Sequence, residues 1–225
     1  MQLVKPSFQI EVCRSGSVVL QNIERAGRTC YKSEEKITGE SAAEFCGMIL
    51  RRGHHSVLEH ESATVRFVVD RGVSHELVRH RLCAFSQEST RYCDYSRDGV
   101  AFVIPPWVKI HPGSYPRDRV EMLLRTGAMD EEAEAEWLKQ MAAANVLYRE
   151  LRNAGQSPQQ ARSVLPNSLK TEIVVTANMR EWRHIFQLRC AKAAHPQMRE
   201  VMIPLRDAMI AWVPVLFDDL KESTS

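Results

Sequence analysis

Residues 62–70, SATVRFVVD, set Ala63, Val65, Phe67 and Val69 against Ser62, Thr64, Arg66 and Val68 in strict alternation. A period of two marks a strand with one buried face, because successive side chains of an extended chain point to opposite sides. Such a strand needs partner strands and a covering layer. LVKPSFQIEV (3–12), VAFVIPP (100–106) and LKTEIVVTAN (169–178) read as further strands, the second ended by its proline pair.

Helical spacing of apolar residues supplies the other layer. It predicts helices over SVVLQNIERAGRTC (17–30) and ESAAEFCGMILRRG (40–53), the latter with Ser41 and Glu44 as a capping box and Gly53 as its stop. VSHELVRH (73–80) forms a short helix, and SPQQARSVLP (157–166) another that starts at Pro158. The longest, residues 130–155, has an acidic first turn, Arg149 and Arg152 near its end, and Gly155 after it. Residues 179–190 and 196–217 give two more, while 107–129 reads as a loop-like insertion. Helices mixed with a few strands, without regular βαβ alternation, predict an α+β fold: an antiparallel or mixed sheet flanked by helices, as a single domain over residues 1–225.

Composition narrows the function. A net charge of +2 is too small for a general nucleic-acid footprint. The arginines nevertheless cluster near 79–91 and 180–199, which suits a local anion site. No apolar run reaches the roughly 18 residues that span a membrane, and the start lacks a signal-peptide pattern, so a cytoplasmic protein with no membrane contact is expected. Cys13, Cys30, Cys46, Cys83, Cys93 and Cys190 form no C-x-x-C pair and read as reduced, mostly buried thiols.

Three polar clusters carry the chemistry. In RHRLCAFSQESTRYCDYS (79–96), a helical reading places Arg79 and Arg81 about 200° apart, facing two different anions or two parts of a site. If the chain then extends, Gln87, Ser89 and Arg91 share one strand face and Glu88, Thr90 and Tyr92 the other. Ser89 beside Arg91 makes a sensible phosphate grip, and a polar edge strand is the alternative. In GHHSVLEH (53–60), His54, His55, Glu59 and His60 lack the HExxH spacing, so ligand-facing or structural histidines are favoured over a metal site. In NMREWRHIFQLRC (178–190), Arg180 and His184 share a helical face just after Asn178, and Arg189 points away from them. No G-x-G-x-x-G, P-loop or G-x-S-x-G occurs. Spacing alone reaches an anionic, nucleotide-like small molecule and no reaction.

At these clusters the sequence resembles the flavin-dependent thymidylate synthases. Their signature, R-H-R, seven residues and Ser, stands here as Arg79-His80-Arg81, LCAFSQE and Ser89. GHHSVLEH precedes it, and ARSVLP and NMREWRHIFQLR follow in family order, so the match runs roughly from Gly53 to Arg189. The resemblance implies an α+β homotetramer with active sites shared between subunits and one FAD per site. It implies conversion of dUMP to dTMP, with carbon from methylenetetrahydrofolate, NADPH as reductant and no enzymatic nucleophile.

By the same resemblance, Arg79, Gln87, Glu88, Ser89, Thr90, Arg91 and Arg162 bind dUMP, with Ser89 and Arg91 near its phosphate. His80 and Arg81 face the flavin, as do Ser56, Asn178, Arg180 and His184, with Arg79 and Gln87 as further flavin contacts. His54 lies near the flavin ring and Arg189 activates the pyrimidine; these two are the candidate catalytic residues. Gln87 stands where many members have Glu, and Glu76, a further candidate for dUMP, where members often have Gln. This leaves open whether Gln87 or Glu88 does the usual glutamate's work. Cys83 has no adjacent activating base and is not read as a nucleophile. A flavin- and folate-dependent hydroxymethylase, a non-catalytic nucleotide-binding protein and a metal-dependent hydrolase are the alternatives.

Overall fold

The structure is a computed structural model that describes residues 1–12, 14–126, 129 and 132–221. Cys13 and the opening Asp130 and Glu131 of the predicted acidic turn lie outside those residues. The chain runs β1 (Gln2–Val4), β2 (Ser7–Val12), α1 (Gly16–Tyr31), α2 (Ser41–Arg51), β3 (Ser62–Asp70), α3 (Arg71–Leu77), β4 (Ala84–Gln87) and β5 (Ala101–Val103). It continues through β6 (Gly113–Ser114), α4 (Arg117–Thr126), α5 (Glu132–Asn153), α6 (Pro158–Ala161), β7 (Lys170–Asn178), α7 (Met179–Arg189), α8 (Pro196–Trp212) and α9 (Pro214–Phe217). One sheet has the order β5-β1-β6 and the other β2-β3-β7-β4. The α+β expectation holds.

Two compact units emerge. The first comprises Met1–Ser7, Phe67–Leu77 and Ser86–Ile173; the second comprises Phe8–Arg66, Val78–Phe85 and Val174–Ser225. In the first, β1 pairs in parallel with β5 and antiparallel to β6, with Leu3 opposite Phe102 and Gly113. Leu3, Phe102, Ile104, Leu138 and Tyr148 pack its core. In the second, Ile23, Phe45, Ile49, Trp182, Phe186 and Phe217 are buried. Trp182 stacks on Phe186, which meets Phe217 edge-on. A Cβ at Gly27 would lie 2.6 Å from the Phe45 ring, so glycine lets α1 and the Phe45 side chain of α2 approach this closely.

Strand β3 buries Ala63, Val65, Phe67 and Val69 as the alternation predicts. Residues 3–12, expected as one strand, form two, because Pro6 between them has no N–H to continue a ladder. Residues 107–129 are not simply a loop. Val120, Leu123 and Leu124, at helical spacing, turn α4 onto the first unit's core, with β6 just before it. The expected capping box at Ser41 is absent: Glu40 is the cap residue, and the Ser41 hydroxyl accepts from the Thr38 amide and donates to Glu24, both at 2.9 Å. Gly53 does stop its helix. At φ 71° it donates its N–H to Leu50 while the next residue, His54, donates to Ile49, the paired bonds of a Schellman ending. The five described cysteines are free; Cys46 and Cys190 are buried, whereas Cys30 is exposed and Cys83 and Cys93 are half-buried.

Candidate functional site

In the first unit the polar residues gather where β4 runs out. The strand ends at Gln87, so Ser89 and Arg91 do not share a strand face as strand alternation would have it. Instead the Ser89 carbonyl accepts from the amides of Tyr92 and Cys93, and its hydroxyl accepts from the Arg91 amide at 3.3 Å. This local bonding, common for serine, curls the chain and leaves the Arg91 side chain exposed. Next to it Thr90 is buried, and its hydroxyl accepts from Arg162 Nη1 at 3.0 Å. Arg162 follows α6, whose start is fixed by Pro158 and by the Ser157–Gln160 capping box. Two residues distant in sequence, both predicted to bind the same ligand, thus meet.

Gln87 and Glu88 differ in what they have left to offer. Gln87 Nε2 donates to Ser74 Oγ at 2.9 Å and Thr171 Oγ1 at 3.2 Å, which leaves its carbonyl oxygen as the ligand-capable atom. Glu88 Oε1 accepts from the Tyr95 hydroxyl at 2.8 Å, and Oε2 accepts from Lys170 Nζ at 3.3 Å and the Glu172 amide at 3.2 Å. Both oxygens of Glu88 are engaged, Oε2 holding the turn to β7 and Oε1 holding it to Tyr95. Arg71, which no motif flagged, donates to the Glu88 carbonyl at 3.3 Å and to Thr171 at 3.0 Å. Glu76 lies on α3, half-buried.

In the second unit the R-H-R stretch is a turn, not a helix, because α3 ends at Leu77. The 200° separation therefore does not apply. Arg79 and Arg81 are both exposed, and His80 between them is buried. His80 Nε2 lies 3.0 Å from Arg189 Nε, and its Nδ1 lies 3.4 Å from Glu181 Oε1. The His184 ring approaches it edge-on, 6.1 Å between centroids. Burial first, then the charges of Arg189 and His184, push the His80 pKa down to about 4. Burial raises Glu181 above the ordinary glutamate value, against the pull of His184 and Arg180. Burial and the nearby Glu181 charge push the Cys83 thiol up to about 12, which keeps it protonated.

Asn178 caps α7, its side-chain oxygen accepting from the Glu181 amide at 2.8 Å. Arg180 and His184 extend from the exposed side of that helix, and Glu59 holds Arg180 at 2.6 Å. These residues line a cavity of about 430 Å³ together with His55 and Gln187. A second cavity of about 380 Å³, also lined by His55 and Arg180, contains His54 and Ser56. Both of those predicted residues are exposed. Tyr31, missed from sequence, bonds through its hydroxyl to His54 Nδ1 at 2.7 Å, and the two rings stack.

Among the described residues, His80, Glu181 and His184 bring one potential metal-ligand atom each within 4.8 Å of one another. Arg189 Nε–H can only donate, so His80 Nε2 must accept and the ring proton sits on Nδ1, the nitrogen beside Glu181. Both ring nitrogens are committed, and the donor set fits a hydrogen-bonded chain better than a cation. Among the described residues no helix is long and apolar enough to cross a membrane.

The chain matches a known family. Residues 18–215 match the family described as thymidylate synthase complementing protein. A flavin-dependent thymidylate synthase of Geobacter sulfurreducens is 34% identical over 201 residues, covering 86% of this chain and 78% of the relative. One from Mycobacteroides abscessus is 34% identical over 207 residues, covering 90% and 80%. The UMP/dUMP methylase PolB of Streptomyces cacaoi, solved with 5-Br dUMP, superposes with a TM-score of 0.72 at 23% identity, over 98% of this chain and 97% of that one. Thymidylate Synthase X of Helicobacter pylori, solved with FAD and dUMP, superposes with a TM-score of 0.70 at 22% identity, over 99% of this chain and 100% of the other. At those identities the two structures speak to the fold.

Proposed function

The chain belongs to the flavin-dependent thymidylate synthase family, and on that footing we propose that it converts dUMP to dTMP with FAD as cofactor, methylenetetrahydrofolate as carbon donor and NADPH as reductant. The observation that carries the reading is the cavity of about 430 Å³ at the start of α7, where Asn178, Arg180 and His184 converge. Cationic and hydrogen-bonding side chains around a capped helix N-terminus fit an anionic dinucleotide. Arg180, His184, the Asn178 amide and, from the adjoining cavity, Ser56 and His54 would hold the FAD. When bound and reduced, that cofactor would supply a hydride to the uracil ring.

The chain's own residues bind and polarise. Ser89 and Arg91 offer a hydroxyl and a guanidinium to the dUMP phosphate, and Arg162, oriented by Thr90, offers a second guanidinium. Arg189 stabilises negative charge on the pyrimidine, and its orientation, fixed through Nε, adds no reorganisation cost at that moment. The protonated Cys83 thiol supports a route without a protein nucleophile. The proposed assembly is a homotetramer with active sites shared between subunits, and the proposed compartment is the cytoplasm; both rest on the family resemblance.

The test is product identity. Purified protein should carry flavin, oxidise NADPH, and yield dTMP by mass spectrometry when given dUMP and methylenetetrahydrofolate. A hydroxymethylated nucleotide, or a colourless protein that binds dUMP without turnover, would overturn the proposal.

A further inference from the structure

Glu181 has no place in the ligand roles assigned above, yet it is buried in the second unit beside a buried histidine. It sits in the first turn of α7, where Asn178 Oδ1 fixes its backbone amide. Its carboxylate lies 3.4 Å from His80 Nδ1, and the other nitrogen of that ring lies 3.0 Å from Arg189 Nε. Glu181 and Arg189 are thus joined by one imidazole, although they lie eight residues apart on the same helix.

We propose that Glu181 is a positioning residue: by holding the proton of His80 on Nδ1 it keeps Nε2 a lone-pair acceptor, and that acceptor fixes the guanidinium of Arg189. The proposal rests on the reading that Arg189 meets the pyrimidine. The chemistry is directional. A guanidinium nitrogen never accepts, so a histidine with its proton on Nε2 would present N–H to N–H and turn Arg189 away. Imidazole in water populates both forms, and a carboxylate beside Nδ1 selects the one needed. The groups around the ring agree with a neutral histidine: Arg189 and His184 disfavour a second proton, and the Cys83 thiol stays protonated and uncharged.

Histidine-labelled holoprotein answers the question directly, because the nitrogen-15 shifts of a neutral imidazole differ between its two tautomers. His80, assigned by loss of its signals in His80→Gln, should carry its proton on Nδ1 in the wild type. In Glu181→Ala it should become a mixture of tautomers, with kcat reduced about tenfold, less than the direct loss of a charge-stabilising donor. Affinity for dUMP should stay within about threefold, since no dUMP contact is assigned to Glu181; because Glu181 also lines the cavity proposed for FAD, kcat is compared at full flavin loading. Glu181→Gln, whose amide oxygen still accepts from Nδ1–H, should restore both tautomer and rate. An Nε2–H tautomer in the wild type, or Glu181→Ala with unaltered tautomer and kcat, would overturn the proposal. The tautomer is read without turnover, so a protein that makes no dTMP would sink the functional reading and leave this result standing.

Discussion

The two units commit their polar groups in opposite ways. In the first, the side chains expected to meet dUMP, Arg91 and Arg162, are exposed, and buried or half-buried groups around them hold a turn in place: Thr90 orients Arg162, and Glu88 ties the turn to Lys170, Glu172 and Tyr95. In the second, the central group is itself buried and titratable. His80 is kept neutral between a carboxylate and a guanidinium. An exposed arginine contributes affinity through charge and loses strength in salt, whereas a half-buried, prealigned one such as Arg189 is screened less. Affinity for the dUMP phosphate is therefore expected to depend on the first unit and rate on the second.

Mutation can break that contrast. Arg189→Ala should lower kcat by about 10²- to 10³-fold, the usual cost of removing one preorganised charge-stabilising donor. Arg162→Ala should instead weaken dUMP binding by about 10- to 100-fold, as expected for a charge-assisted bond of about 1.5–3 kcal/mol, with kcat at saturation nearly unchanged. Steady-state kinetics with dUMP varied separates the two. If both substitutions act on the same parameter, the division between the units is wrong.

Acid sharpens the same contrast through stability. A histidine whose pKa is about 4 in the folded protein and about 6.5 when unfolded takes up its proton more readily in the unfolded chain. Stability should therefore fall as the pH drops from about 6.5 through 4, with at most about 3 kcal/mol from His80. Glu181, with its pKa raised by burial, works in the opposite sense over its own range. Chemical denaturation at several pH values should show the wild type losing more stability over this window than His80→Gln. Equal losses would mean that His80 is not held neutral in the fold.

Much of this was legible in the sequence where the signal is local. The alternation in residues 62–70 gave β3, and the cap at Gly53, which delivers His54 to the rim of its cavity, was readable from a single glycine after a helical pattern. The spacing of Arg180 and His184 put both on the exposed side of α7. What failed to show depends on distant partners. Nothing near Leu77 announces that α3 stops there, so the R-H-R stretch read as helix when it is a turn. The Tyr31–His54 and Thr90–Arg162 bonds join residues 23 and 72 positions apart, and the His80–Arg189 bond spans 109. Helix 117–126 was missed for another reason: its apolar spacing is real, but the prolines and glycine just before it suggested a loop.

The most direct measurement is an anaerobic single turnover. The purified protein is reduced, mixed with dUMP and methylenetetrahydrofolate, and followed for flavin reoxidation and nucleotide product. The account predicts reoxidation in step with dTMP formation, slowed in Arg189→Ala by the factor seen in kcat. Reoxidation without dTMP, or an Arg189→Ala protein that turns over at the wild-type rate, would contradict it.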